Sequence, residues 1–208
     1  MFSRGLIQNG LSAARNEGLF FRNLVECFSR ELIYSVEVLG KGDGWFLIAL
    51  YGDGFKLVEH KNDDKKYKRL LQDYKDYIVP FMPEPKEISK HYPNDKLIEF
   101  LLFNAAGTDY KDIIGCFTIY SIKKDECCMG CFIKPSFRRN YYSTKAHNRL
   151  FEFIKSSLKI NKVAVEVLST NKISINMFEK LGFVRDRDSK IMECQGQQSL
   201  FYMFTKDI

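Results

Sequence analysis

Two stretches, IKPSFRRNYYST at residues 133–144 and VAVEVLSTNKISINMFEKLGF at residues 163–183, decide the fold. An apolar strand over 126–133 runs into Pro135, and the basic turn Arg138-Arg139-Asn140-Tyr141-Tyr142-Ser143-Thr144 follows where a helix begins. That helix, over 144–158, carries Ala146, Leu150, Phe153, Ile154 and Leu158 as one apolar stripe. The nearly continuous apolar run 163–168 reads as a buried strand. A second helix over 172–181 repeats Ile173, Met177 and Leu181 at four-residue intervals and stops at Gly182. The first main-chain N–H groups of a helix lack partners and its dipole is positive there, so a helix start beside two arginines attracts phosphate.

Working outward, residues 97–103 and 113–122 read as strands joined by Asn104-Ala105-Ala106-Gly107-Thr108-Asp109. Before them, Asn62-Asp63-Asp64 offers a helix cap, and Leu70, Leu71, Tyr74 and Ile78 share one face until Pro80 ends the pattern. Pro80, Pro83, Pro85 and Pro93 mark a loop. Strands over 32–39, 45–51 and 55–58, separated by glycine-rich turns, form an antiparallel meander. Residues 5–30 place Leu19, Phe20, Leu24, Val25 and Phe28 at helical spacing, which predicts one or two amphipathic helices. Two final strands, near 183–187 and 200–204, surround a turn at Gly196. The sum is a mixed α/β (α+β) fold with helices on the faces of one sheet.

At 208 residues the chain can bury a complete core without disulfides or a structural metal. The formal charge of +6, from 32 basic and 26 acidic residues, is spread along the chain. It suits an anionic ligand or acidic partner and argues against nucleic acid, for which no zinc-finger or RNA-binding signature is present. No apolar run approaches the ~20 residues that span a bilayer, so a cytoplasmic protein without membrane contact is expected. The first 16 residues have the composition of an organelle transit peptide, but a surface amphipathic helix explains them as well and is preferred. Of six cysteines, Cys127, Cys128 and Cys131 share one strand and read as small, partly buried residues in a reducing compartment. No second pair or nearby histidine completes a metal site with Cys128 and Cys131, and none is expected.

These motifs resemble the GNAT superfamily of acyl-CoA-dependent N-acetyltransferases, with a lean toward its ribosomal-protein-type branch. Ile133-Lys134-Pro135-Ser136-Phe137-Arg138 is similar to the strand end and turn of that family; Ser169-Thr170-Asn171-Lys172-Ile173-Ser174 and Phe178-Glu179-Lys180-Leu181-Gly182-Phe183 are similar to its later helix. The resemblance covers roughly residues 97–204. It implies a central mixed, mostly antiparallel twisted sheet with two splayed parallel strands. Residues 51–208 would form this domain, and 1–50 a helical and β-hairpin extension packed on it. Acetyl-CoA, as cosubstrate, would lie between the splayed strands, its pantetheine arm along the main chain of Phe132 and Ile133. Its diphosphate would meet Arg138, Arg139, Asn140, Tyr141, Tyr142, Ser143 and Thr144. Asn171 would bond the arm, Phe178 stands where the family places a tyrosine acid, and Lys180 would reach the nucleotide end. Tyr141 and Ser143 replace two small residues of the family's turn, and a tyrosine fits there without strain while its φ stays negative.

The family's basic glutamate corresponds to Cys128, with Glu126 two residues earlier on the same face as an alternative base acting through water. A thiolate leaving group with a pKa of about 8.5 needs no strong acid. The expected function is therefore acetyl transfer to a primary amine of a protein N-terminus, a lysine or a small molecule. The alternative is a catalytically degenerate member acting as a scaffold through residues 1–50, with Phe20 and Phe21 as contacts. Monomer and homodimer are both open.

Overall fold

The structure, a computed structural model, describes residues 24–29, 32–41, 45–60, 64–82 and 97–208. It divides into two compact units, Met1–Tyr51 and Gly52–Ile208. In the first, β1 (Leu24–Ser29) pairs antiparallel with β2 (Leu32–Lys41), Ser29 facing Leu32. β2 pairs in turn with β3 (Trp45–Gly52). Leu24, Val25 and Phe28 therefore lie on a strand, which corrects the helix expected there. A six-residue run is too short for its period to separate helix from strand, and the neighbouring β2 supplies main-chain partners that a helix would not use. The rest of the expected helical region, with Phe20 and Phe21, lies outside the described residues.

The second unit follows the sequence more closely. Its strands are β4 (Phe55–His60), β5 (Ile98–Asn104), β6 (Ile113–Tyr120), β7 (Glu126–Ile133), β8 (Lys162–Leu168), β9 (Val184–Cys194) and β10 (Gln197–Asp207). They lie side by side in the order β4-β5-β6-β7-β8-β10-β9. Every neighbour is antiparallel except β7 and β8. The last hairpin is longer than expected, and Gly196, at φ +71°, makes its turn.

Helices cover both faces. On one face, α1 (Lys65–Asp73) starts at Asp64, whose carboxylate accepts from the amides of Lys66 at 2.7 Å and Tyr67 at 3.4 Å. After a break at Tyr74, α2 (Lys75–Ile78) leads into a 3-10 turn over Val79–Phe81, where Pro80 ends the helical run. Leu70 and Ile78 pack here with Leu101, Cys116 and Phe132. On the other face lie α3 (Tyr142–Phe153), extended by a π turn over Ile154–Leu158, and α4 (Lys172–Lys180). Phe153 meets Phe100 edge-on at 5.8 Å, and His147 meets Phe117 at 5.0 Å. Phe100 and Phe117 are fully buried, each stabilising the fold by about 1.5–3 kcal/mol. Ile173, expected to pack inward, is instead exposed, because Phe178 is the residue of α4 that enters the core. No helix among the described residues is long and apolar enough to cross a membrane.

His147 is wholly buried among Phe117, Phe151 and Phe178. Its Nδ1 donates to the Ser143 carbonyl at 2.7 Å, while Nε2 has no partner among the described residues. Burial holds its pKa down at about 4 against an ordinary 6.5. The unfolded chain takes up this proton first as pH falls, so stability is complete above pH 6.5 and declines toward pH 4. The loss amounts to about 3 kcal/mol. Urea unfolding of wild type and His147→Gln across this window should show the difference between them shrinking at acid pH; parallel curves would contradict the assignment.

Candidate active site

The parallel pairing of β7 with β8 consists of Glu126 with Lys162, Cys127 with Val163 and Cys128 with Ala164. Beyond it β7 continues to Ile133 and β8 to Leu168, so the two strands part. Each is held from its other side: β7 by six pairs to β6, and β8 by seven to β10. Glu166 shows the opening locally. Its side chain is only 6% exposed although the residue as a whole is partly exposed. The exposure therefore falls on its main chain, where a strand that has lost a neighbour shows its amide and carbonyl.

The end of β7 is held closely. Gly115 of β6 lets the Phe132 carbonyl approach, for an added Cβ would stand 2.1 Å from that oxygen. The next residue but one, Lys134, is buried with its ammonium 4.8 Å from the Tyr110 ring and 5.6 Å from that of Tyr74. Pro135 then opens a 3-10 turn through Phe137. Arg138 follows, its Nε donating to the Ile133 carbonyl at 3.1 Å and its guanidinium 5.9 Å from the Tyr77 ring. Its outer nitrogens remain for a ligand.

Arg139 and Tyr141 take left-handed conformations, φ +66° and +60°. The condition of a negative φ at Tyr141 is thus not met, and a residue with a Cβ is destabilised by about 1–2 kcal/mol in that region. The ring does not block the turn, however: Tyr141 is 76% exposed. No side chain caps α3, and Lys145 is the first residue whose amide bonds back into the helix, to the Tyr141 carbonyl at 3.0 Å. The amides of Tyr142, Ser143 and Thr144 precede that bond and are the ones a helix start leaves for an anion. Arg139, Asn140 and Thr144 are exposed beside them.

α4 meets this turn through Met177, whose sulfur accepts from the Ser143 hydroxyl at 3.1 Å. Asn171 caps α4, its Oδ1 accepting from the Ser174 amide at 3.2 Å, which leaves its side-chain nitrogen for a ligand. Lys180 is exposed on the last turn, while Phe178 is buried against His147 and Phe183, so it serves the core rather than a cofactor surface. Phe132 likewise gives its ring to the core beside Tyr74, leaving only its main chain to the opening.

Neither expected base stands in the open segment. Glu126 ion-pairs with Lys162 at 3.1 Å where the strands are still joined. The Cys128 thiol is buried, which pushes its pKa up to about 12, so at neutral pH it is a thiol without basic character. Two carboxylates on this face of the sheet were missed in the sequence. Glu166, ion-paired with Lys190, lies two residues beyond Ala164 on the same face. On the same face, two strands behind β7, Glu99 of β5 is buried and its carboxylate accepts from the Tyr67 hydroxyl at 2.8 Å. A signal for both was available, a single glutamate inside an otherwise apolar strand.

The acetyltransferase (GNAT) domain family matches residues 57–184. The chain belongs to the GNAT acetyltransferase family. This GNAT chain is an acyltransferase, and the splay of β7 from β8 falls within the matched residues. No curated protein sequence matches it. Among solved structures, it is similar to the ribosomal-protein-S5-alanine acetyltransferase from Vibrio fischeri, at 13% identity and TM-score 0.62 over 76% of this chain and 96% of that one. It is similar to the microcin C7 self-immunity acetyltransferase MccE, solved with acetyl-CoA and AMP, at 15% identity and TM-score 0.60 over 76% and 94%. The SpeG spermidine N-acetyltransferase from Vibrio cholerae, solved as a mutant, matches at 14% identity and TM-score 0.58 over 75% and 95%. At these identities the likeness is one of fold.

Tyr141 yields a direct test of the turn. Tyr141→Gly should raise stability by about 1 kcal/mol by removing the left-handed strain, and acetyl-CoA affinity should be kept. Thermal unfolding with and without acetyl-CoA reads both, and a loss of binding would show that the exposed ring itself contacts the ligand.

Proposed function

We propose that the parting of β7 and β8 receives acetyl-CoA and that the acetyl group passes by direct attack to a primary amine. The observation that carries this reading is the end of pairing after Cys128 and Ala164, which leaves two strand edges with main-chain groups to satisfy. A pantetheine arm, with its own amides, fits between them as an extra strand along Phe132 and Ile133. The amides from Arg139 to Thr144 and the outer nitrogens of Arg138 take the diphosphate. The side-chain nitrogen of Asn171 bonds the arm, and Lys180 serves the nucleotide end. That MccE was solved with acetyl-CoA, and that alanine and spermidine, named for two other similar structures, both present primary amines, supports the same reading.

Chemically, the acceptor arrives as an ammonium and must lose a proton before its lone pair attacks the thioester carbonyl. A carbon–nitrogen bond then forms, the carbon–sulfur bond breaks, and the departing thiolate takes a proton. Glu166 is the carboxylate placed to remove the first proton, directly or through a water, since its side chain stands on the open stretch of β8. Holding amine and thioester together in the parting supplies much of the acceleration.

Calorimetric titration should show acetyl-CoA binding, weakened by about tenfold in Asn171→Ala, the value of one lost hydrogen bond. Absence of heat and of thermal shift at millimolar acetyl-CoA would remove the proposal. Glu166→Gln should lower kcat by about 100-fold or more while leaving acetyl-CoA affinity unchanged. Wild-type turnover in that variant would assign the proton to another group.

A further inference from the structure

The face of the sheet beneath α1 carries a polar row. His60 pairs with Glu99, Glu99 with Thr118, and Thr118 with Gly130. Residues opposite one another in a sheet point to the same side, so this row lies on the side of Cys128 and Ala164, and two residues further along β8 the same side shows Glu166. Glu166 thus borders the parting, and Glu99 lies on the same face of the sheet, two strands behind β7.

Between them the floor is open. Gly130 has no side chain, and a Cβ there would meet nothing nearer than the Tyr120 ring at 4.0 Å. Thr118, Tyr120 and Gly130 are all partly exposed, in contrast to the closed packing around Leu101, Cys116 and Phe132 under α1. At the wide end the run from α1 to the 3-10 turn reaches β9, where the Cys194 thiol donates to the Met82 carbonyl at 3.0 Å.

Glu99 is the unusual member of this row. It is 9% exposed, and its carboxylate is held by the neutral Tyr67 hydroxyl, whose ring stacks on His60 at 4.1 Å. Among the described residues no cation pairs with it, whereas Glu166 has Lys190. A buried carboxylate held by a hydroxyl alone is costly, and a cationic ligand removes that cost.

We infer that Glu99, oriented by Tyr67, binds a second cationic group of the acceptor, so that the preferred acceptor is a small alkyl diamine. This rests on the proposed transfer reaction. Glu99 lies two strands from Gly130, about 10 Å, a span that a glutamate side chain and a short diamine fill together. One ammonium sits at Glu99 and the other end of the molecule presents its amine at the parting, beside Glu166. Glu99 is here a specificity-determining residue, and Tyr67 a positioning residue.

The test titrates 1,4-diaminobutane and butylamine into the full chain saturated with CoA. The diamine should bind about tenfold or more tightly than the monoamine, the worth of one charge-assisted hydrogen bond. Glu99→Gln should abolish that preference while butylamine affinity stays the same, and Tyr67→Phe should reduce it in a chain that keeps the carboxylate. Equal binding of the two amines to wild type, or a preference that survives Glu99→Gln, overturns the inference. Failure of CoA itself to bind overturns the transfer reaction and this inference with it; CoA binding without a diamine preference overturns the inference alone.

Discussion

The organisation of the second unit depends on a parallel strand pair that is allowed to form for three residues and then denied. β7 and β8 have the composition of buried strands and would zip together along their length if nothing else acted on them. Past Cys128 and Ala164 each strand keeps only its other neighbour, and the end of β7 stays close to Gly115 of β6 before running into Lys134 and Pro135. Main-chain amides and carbonyls left at the two parted edges lack the partners that a continued ladder would give them.

The two faces of the sheet then divide the labour. α3 and α4 press an aromatic layer, including Phe100, Phe117, Phe151, Phe178 and the neutral His147, against one side. This layer fixes where α3 begins, and with it the uncapped amides beyond Arg138. α1 covers the opposite side only in part. The same face carries the polar residues Glu99, bonded to Tyr67 of α1, Thr118 and Glu166.

Much of this was legible in the chain. Asp64 as the cap of α1, the stop at Pro80, the strands of the second unit and the turn ahead of α3 all follow from local rules, because capping, proline geometry and apolar period act over a few residues. The resemblance to the GNAT family rested on the same local motifs in order. Residues 24–29 were misread because a short apolar run has no period long enough to decide between helix and strand, and pairing with β2 decided it. Ile173, read as part of the apolar spacing of α4, is exposed and Phe178, read at the family's tyrosine position, is buried, since which face of α4 turns inward depends on the helix it meets.

The sequence by itself determined where elements start and stop and that a phosphate-seeking helix start follows a basic turn, since those properties belong to neighbouring residues. Only the tertiary structure decided where each carboxylate stands. Glu126 and Cys128 are close in sequence to the turn but sit where the strands are joined, paired or buried. Glu99 on β5 and Glu166 on β8 come to the same face of the sheet because strand register, a long-range property, aligns them.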